Sequence, residues 1–187
     1  MRRLIMKKIK LVLCCVILCM NLGGCIKPMG RGERLTKELG SEQQIADQMM
    51  EDIAVALDNG DGDALKELFS ASALEEATDI DQQISNLLQF YQGKKQSFEG
   101  DASSSTHTKY GEDIEKSFSG DYALVTNEKT YRIAYEYRLI DKENPDKEGL
   151  SVLEFVTEET YQSAINSEEG YYQWQYPNSG AGVYIKE

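Results

Sequence analysis

Few side chains in this sequence are equipped for covalent or metal chemistry, and those few lie far apart. The four cysteines, Cys14, Cys15, Cys19 and Cys25, all fall before residue 26. His107 is the single histidine and follows a serine-threonine run that reads as a polar surface loop. A zinc site needs several nitrogen, sulfur or carboxylate ligands held together, and a thiol nucleophile needs a paired base. No Gly-x-Ser-x-Gly elbow is present for a serine nucleophile, nor a phosphate loop or dinucleotide fingerprint. Asp58-Asn59-Gly60-Asp61-Gly62-Asp63 has the acid density of a calcium loop but fails in either register. Counted from Asp58, positions three and five are Gly60 and Gly62, which carry no side-chain oxygen. Counted from Asn59, positions six and twelve are Ala64 and Ser70, where the loop requires glycine and glutamate. Helix capping and turn chemistry account for these acids. No cofactor and no metal are expected.

The aromatic residues are better placed for binding than for bond-making. Tyr131, Tyr135 and Tyr137 alternate with Arg132, Glu136 and Arg138, so they share one strand face with Ile133 and Leu139. Tyrosine offers apolar ring area plus a hydroxyl, the mix a small-molecule pocket favours. The alternative is a sheet face packed on helices. Near the C-terminus, Tyr171, Tyr172, Trp174 and Tyr176 are dense enough to stack on sugars or on a partner protein. There the alternative is a strand edge that tucks its rings onto the core.

The N-terminus accounts for the cysteines. Arg2, Arg3, Lys7, Lys8 and Lys10 form a positive head, Leu11 to Met20 is uninterruptedly apolar, and Asn21-Leu22-Gly23-Gly24 loosens the chain before Cys25. That is the anatomy of a secretory signal, with an apolar run short of the ~20 residues a spanning helix needs. Leu22-Gly23-Gly24-Cys25 further resembles the lipobox of bacterial lipoproteins. The resemblance implies a diacylglyceryl group on the Cys25 thiol and cleavage between Gly24 and Cys25. It places the mature protein on the outer, extracytoplasmic face of the cell membrane. Two acyl chains suffice for stable anchoring, whereas one is marginal. The competing reading is an uncleaved signal anchor with an incidental cysteine. On the lipoprotein reading no thiol remains for a disulfide, so the exported domain is held by its core alone.

Removing residues 1–24 leaves 163 residues, the size of one ordinary domain. The signal carries five of the 20 Lys and Arg and none of the 32 Asp and Glu, so the net charge moves from −12 to −17. Such a surface opposes nucleic acid, whose affinity comes mainly from phosphate neutralisation, and resists lying flat on an anionic membrane. Residues 26–40, broken by Pro28, Gly30, Gly32 and Gly40, read as a mildly basic tether. Fully extended, it reaches about 50 Å.

Hydrophobic period defines the elements that must position the aromatic residues. Ser41 with Gln44 forms a capping-box pattern, and Ile45, Met49, Ile53 and Leu57 recur behind it as one helix face ending near Asp58. Asn59 to Gly62 is a turn. Asp63 is expected to cap a short second helix carrying Leu65, Leu68 and Phe69, and Ala73 to Ala77 adds another turn. Asp79 caps a third helix, with Ile80, Ile84, Leu87, Leu88 and Tyr91 on one face and Gly93 as its stop. Beyond Gly93 the period becomes two. A short strand is expected over Gln96–Glu99, a polar loop around Ser103-Ser104-Ser105, and alternation at Ile114, Lys116 and Phe118. A turn at Ser119-Gly120-Asp121 then leads into a long strand-like region from Tyr122 to Ile140, bulged near Asn127. Asp141 to Gly149 is a hairpin loop, Leu150 to Thr157 the returning strand, and Gly182 to Lys186 a closing strand. Helices followed by antiparallel strands define an α+β fold.

This order, with Gly62, Asp63, Ala64, Leu65, Leu68 and Phe69 between the first helices, resembles the nuclear transport factor 2-like, or cystatin-like cone, superfamily. The tyrosine-rich strand and Glu148-Gly149-Leu150 resemble a lipoprotein family within it, domain of unknown function 5104. The resemblance runs from Ser41 to the end. It implies N-terminal helices packed on a curved antiparallel sheet, with any cavity opening between the two. The strand usually found between the second and third helices has no counterpart here. Cone-fold ketosteroid isomerases and polyketide cyclases use an Asp inside the cone, sometimes with His or Tyr, but no spacing here singles out such a pair. The expected organisation is a signal peptide over 1–24, a lipidated N-terminus and tether over 25–40, and one α+β cone-type domain over 41–187. The expected role is a non-catalytic module binding a small apolar ligand or an envelope protein. A cone-fold isomerase or cyclase and a structural envelope domain are the alternatives.

Overall fold

The computed structural model describes residues 41–174 and 180–186. The signal segment, Cys25, the tether and Tyr176 lie outside the described residues.

Helices come first. Ser41 opens α1 (Glu42–Asn59) with a reciprocal box: its hydroxyl accepts the Gln44 N–H at 3.2 Å, and Gln44 Oε1 accepts the Ser41 N–H at 3.1 Å. The face expected from the sequence, Ile45, Met49, Ile53 and Leu57, is buried. Gly60 closes the helix in the left-handed region at φ +64. The next cap is Asp61 rather than Asp63. Its carboxylate accepts the Ala64 N–H at 2.9 Å and starts α2 (Gly62–Lys66), leaving Asp63 in the first turn. Ser70 caps α3 (Ala71–Glu76), and Asp79 caps α4 (Ile80–Phe90), which buries Ile80, Ile84 and Leu87.

The sheet follows in chain order: β1 (Lys95–Lys109), β2 (Glu112–Thr126), β3 (Thr130–Asp141), β4 (Gly149–Thr157) and β5 (Gly182–Lys186). The first four strands pair antiparallel, and β5 runs parallel to β4. The architecture is α+β, with a curved, open, mostly antiparallel sheet.

Four expectations need correction. Ser103-Ser104-Ser105 and His107 lie within β1, paired to β2 as far as His107↔Glu115 and beyond, not in a loop. No turn forms at Ser119-Gly120-Asp121, because β2 runs through it. Gly120 lies opposite Tyr135, and a Cβ there would sit 2.4 Å from the tyrosine Cζ. The glycine makes room for a ring across the strand pair. The chain turns instead at Asn127–Lys129, where Thr126 Oγ1 accepts the Glu128 and Lys129 N–H groups at 3.1 and 2.8 Å. The closing strand is parallel because α5 (Glu158–Ile165), capped by Thr157, carries the chain across before β5.

The link from α2 to α3 joins the sheet by a single residue. Phe69 bridges Leu150 in parallel, the Ser70 N–H donates to Leu150 O at 2.9 Å, and the Leu150 N–H donates to Leu68 O at 2.8 Å. The core lies between helices and sheet. Met49, Met50, Ile53, Leu65 and Leu87 meet Phe118, Leu124, Ile133, Leu153 and Phe155 there.

Candidate functional site

The sheet has two faces with different chemistry. Toward the helices stand the tyrosines expected to line a pocket. Tyr131 and Tyr135 are 0 % exposed and Tyr137 is 3 % exposed. Tyr135 Oη donates to Ala46 O of α1 at 2.9 Å, and its ring stacks on Tyr122 with centroids 5.9 Å apart. Tyr131 Oη donates to Phe90 O at 3.2 Å and accepts the Gln92 N–H at 2.8 Å. Burial above all pushes the Tyr135 hydroxyl far above the ordinary tyrosine value, so it serves as a neutral donor. A pocket-lining hydroxyl faces space, whereas those of Tyr131 and Tyr135 tie the sheet to α1 and to the end of α4. The structure therefore places the stripe in the packed core.

On the outer face stand Asp121 of β2, Arg132 of β3, Glu154 of β4, and Tyr184 and Lys186 of β5. Their register follows from Asp121↔Ala134, Ala134↔Glu154 and Glu154↔Tyr184. Over them lie α5 and the segment that follows. Tyr161 of α5, Tyr172 and Trp174 form a ring cluster, with centroid separations of 5.5 Å for Tyr161–Tyr172 and 4.7 Å for Tyr172–Trp174. Arg132 sits 4.8 Å over the Tyr161 ring and bonds Glu158 at 2.8 Å, while Lys186 sits 4.9 Å over Tyr172. Burial works against charge on Arg132, but the Glu158 carboxylate outweighs it and holds the guanidinium pKa above its ordinary value. Burial raises the Asp121 carboxyl above its ordinary value, against the opposing pull of Arg132 and Trp174.

Glu154 lies beneath this cluster at 0 % exposure. Tyr172 Oη donates to it at 3.1 Å. Burial first, then the Glu154 carboxylate, push the Tyr172 hydroxyl above the ordinary tyrosine range. A carboxylate at such depth is tolerated only among donors. Tyr172→Phe should therefore cost about 1–3 kcal/mol, the penalty for leaving a buried polar group short of a partner. Urea unfolding followed on Trp174, the chain's single tryptophan, measures it; a loss below ~0.5 kcal/mol would contradict this role for the pair.

Of the four C-terminal aromatics, Tyr172 is a buried anchor, Trp174 is half-buried and Tyr171 is 56 % exposed. Tyr176 lies outside the described residues. Sequence reasoning missed Tyr161, Arg132, Glu154 and Lys186. The alternation that put the tyrosines inward also put Arg132 outward, and Thr157 was a readable helix cap. His107 is exposed on β1. The Asp58 carboxylate accepts the Tyr91 hydroxyl at 2.6 Å and the Lys95 N–H at 3.0 Å, joining α1 to the end of α4 and the start of β1. Among the described residues no group of three or more His, Cys, Asp or Glu is arranged to hold a metal. No described helix is long and apolar enough to cross a membrane. What the outer face can do is stack rings and pair charges.

These features define an α+β protein with its N-terminal helices on the inner face of a curved sheet and an aromatic, charged cluster on the outer face. The model of the family described as Domain of unknown function (DUF5104) matches residues 52–158, more than half of the chain, and the chain belongs to that family. The match takes in Arg132, Glu154 and Glu158 but ends before Tyr161, Tyr172 and Trp174. No curated protein matches the chain.

Proposed function

We propose that this chain is a lipid-anchored, extracytoplasmic binding module without catalytic activity, of the cystatin-like cone type. Support for the anchor comes from the basic head, the apolar run and Leu22-Gly23-Gly24-Cys25. Support for the cone comes from helices preceding a curved sheet, with the Phe69–Leu150 bridge where a cone would carry its extra strand.

The observation that carries the binding reading is the outer-face cluster, in which half-buried Trp174 packs against Tyr161 and Tyr172 while Arg132 and Lys186 sit over those two rings. Ring faces bordered by fixed charges recognise a sugar ring or a partner's apolar side chain by stacking, with polar groups setting orientation. The ligand class is accordingly a small molecule or an envelope protein presenting such a group. A cone-type isomerase would need an open inner face, where this chain packs Tyr131, Tyr135 and Tyr137. A thermal-shift screen with glycan fragments and small amphiphiles tests the reading. Compounds that raise the melting temperature should lose their effect in Trp174→Ala and keep it in Tyr135→Phe. The reverse pattern would move the site to the inner face and revive the isomerase reading.

A further inference from the structure

Among the described residues β1 has one strand neighbour, β2, so its other side is a sheet edge. Sheet edges invite pairing, and proteins usually guard them with proline, a mid-strand lysine or a bulge. From Ser97 to His107 this edge has no proline and no lysine, and its register to β2 runs unbroken. Asp101 and Ser103 to Lys109 are exposed.

The edge is complementary to itself. Glu99, Asp101, Ser103, Ser105 and His107 alternate onto one face of β1, and Lys109 continues the alternation past a register shift to β2 between His107 and Thr108. Two such strands laid antiparallel about a two-fold at Ser104 place Ser103 opposite Ser105, Asp101 opposite His107 and Glu99 opposite Lys109, each pair occurring twice. A shift of two residues destroys the match. Centred on Ser103, Glu99 meets His107 and Asp101 meets a serine. Centred on Ser105, Asp101 meets Lys109 and Glu99 runs past the strand end. Within one chain Asp101 lies opposite Asp121, whose charge partner is Arg132, so Asp101 is left to meet a basic group from outside. The competing contacts are few, and Gln43 Nε2 of α1 donates to the Gly100 carbonyl at 3.3 Å. His107 faces Glu115 across its own hairpin, and Lys109 reaches Glu143 at 3.0 Å in an exposed pair. Near the axis, Ser104 Oγ donates to Glu42 at 2.7 Å, and Lys116 neutralises that carboxylate at 2.7 Å.

We propose that two copies of this chain join edge to edge through β1, antiparallel, with Ser104 on the two-fold axis, forming one continuous sheet. Both outer-face clusters then point the same way, and both α1 helices begin beside the axis on the opposite side. The pairing does not depend on what the outer face binds.

Cross-linking of the full-length chain in membranes tests it. Under mild oxidation Ser104→Cys should give a band of twice the mass. Thr108→Cys should give no more than wild type, because two residues at 108 would lie about 27 Å apart along the pair. In the Ser104→Cys background, Glu99→Lys or Lys109→Glu alone sets like charges opposite each other twice, lowering the association constant about tenfold. The two reversals together should restore the band, an outcome that misfolding of either single variant would not mimic. Equal bands from Ser104→Cys and Thr108→Cys would overturn the pairing. So would a band of another mass, or a double reversal that fails to recover.

Discussion

Replacing Tyr135 with alanine should lower the unfolding free energy by about 3–5 kcal/mol, the range for large-to-small changes in a packed core. The ring is 0 % exposed, fills the space that Gly120 leaves open, and stacks on Tyr122. Its hydroxyl also ties β3 to the Ala46 carbonyl of α1 at 2.9 Å. Tyr135→Phe keeps the ring and removes only that bond, so it should cost about 1 kcal/mol. Urea unfolding at neutral pH separates ring from hydroxyl. If Tyr135→Ala costs less than ~1 kcal/mol, the ring borders open space and the inner face holds a cavity after all.

Cys25→Ser should abolish lipid incorporation entirely. A serine hydroxyl lacks the nucleophilicity of a thiol, and the sequence places no other thiol after the small residues Gly23 and Gly24. Without acyl chains the domain has little reason to stay at the membrane, since its acidic surface is repelled by anionic lipid. Labelled palmitate should enter the wild type and be absent from the variant, which accumulates as uncleaved precursor or released protein. Equal labelling of both would place the lipid elsewhere.

The parts of the fold legible in the sequence were those with a buried apolar face and a side-chain cap. Ser41 with Gln44 and the Ile45–Leu57 stripe marked α1, Asp79 marked α4, and the alternation from Tyr131 to Leu139 marked β3. The distal half of β1 was illegible because an exposed edge strand of serine and threonine carries no hydrophobic alternation. Gly120 misled because a glycine that admits a ring looks like a glycine that turns a chain. In α5 no residue is fully buried, so helical periodicity was faint there. The C-terminal aromatics were visible as a group. Their supports were not, because Arg132 and Glu154 reach Tyr161 and Tyr172 only through sheet register and the crossing of α5.

Trp174 emission tests the central claim of outer-face binding most directly, since Trp174 is the only tryptophan and lies within the proposed site. The chain is titrated with each compound that raises its melting temperature. Outer-face binding predicts a saturable shift in Trp174 intensity or wavelength at the same concentrations that stabilise the fold. Compounds that stabilise the protein while leaving Trp174 emission unchanged, and that lose their effect in Tyr135→Phe, would contradict it.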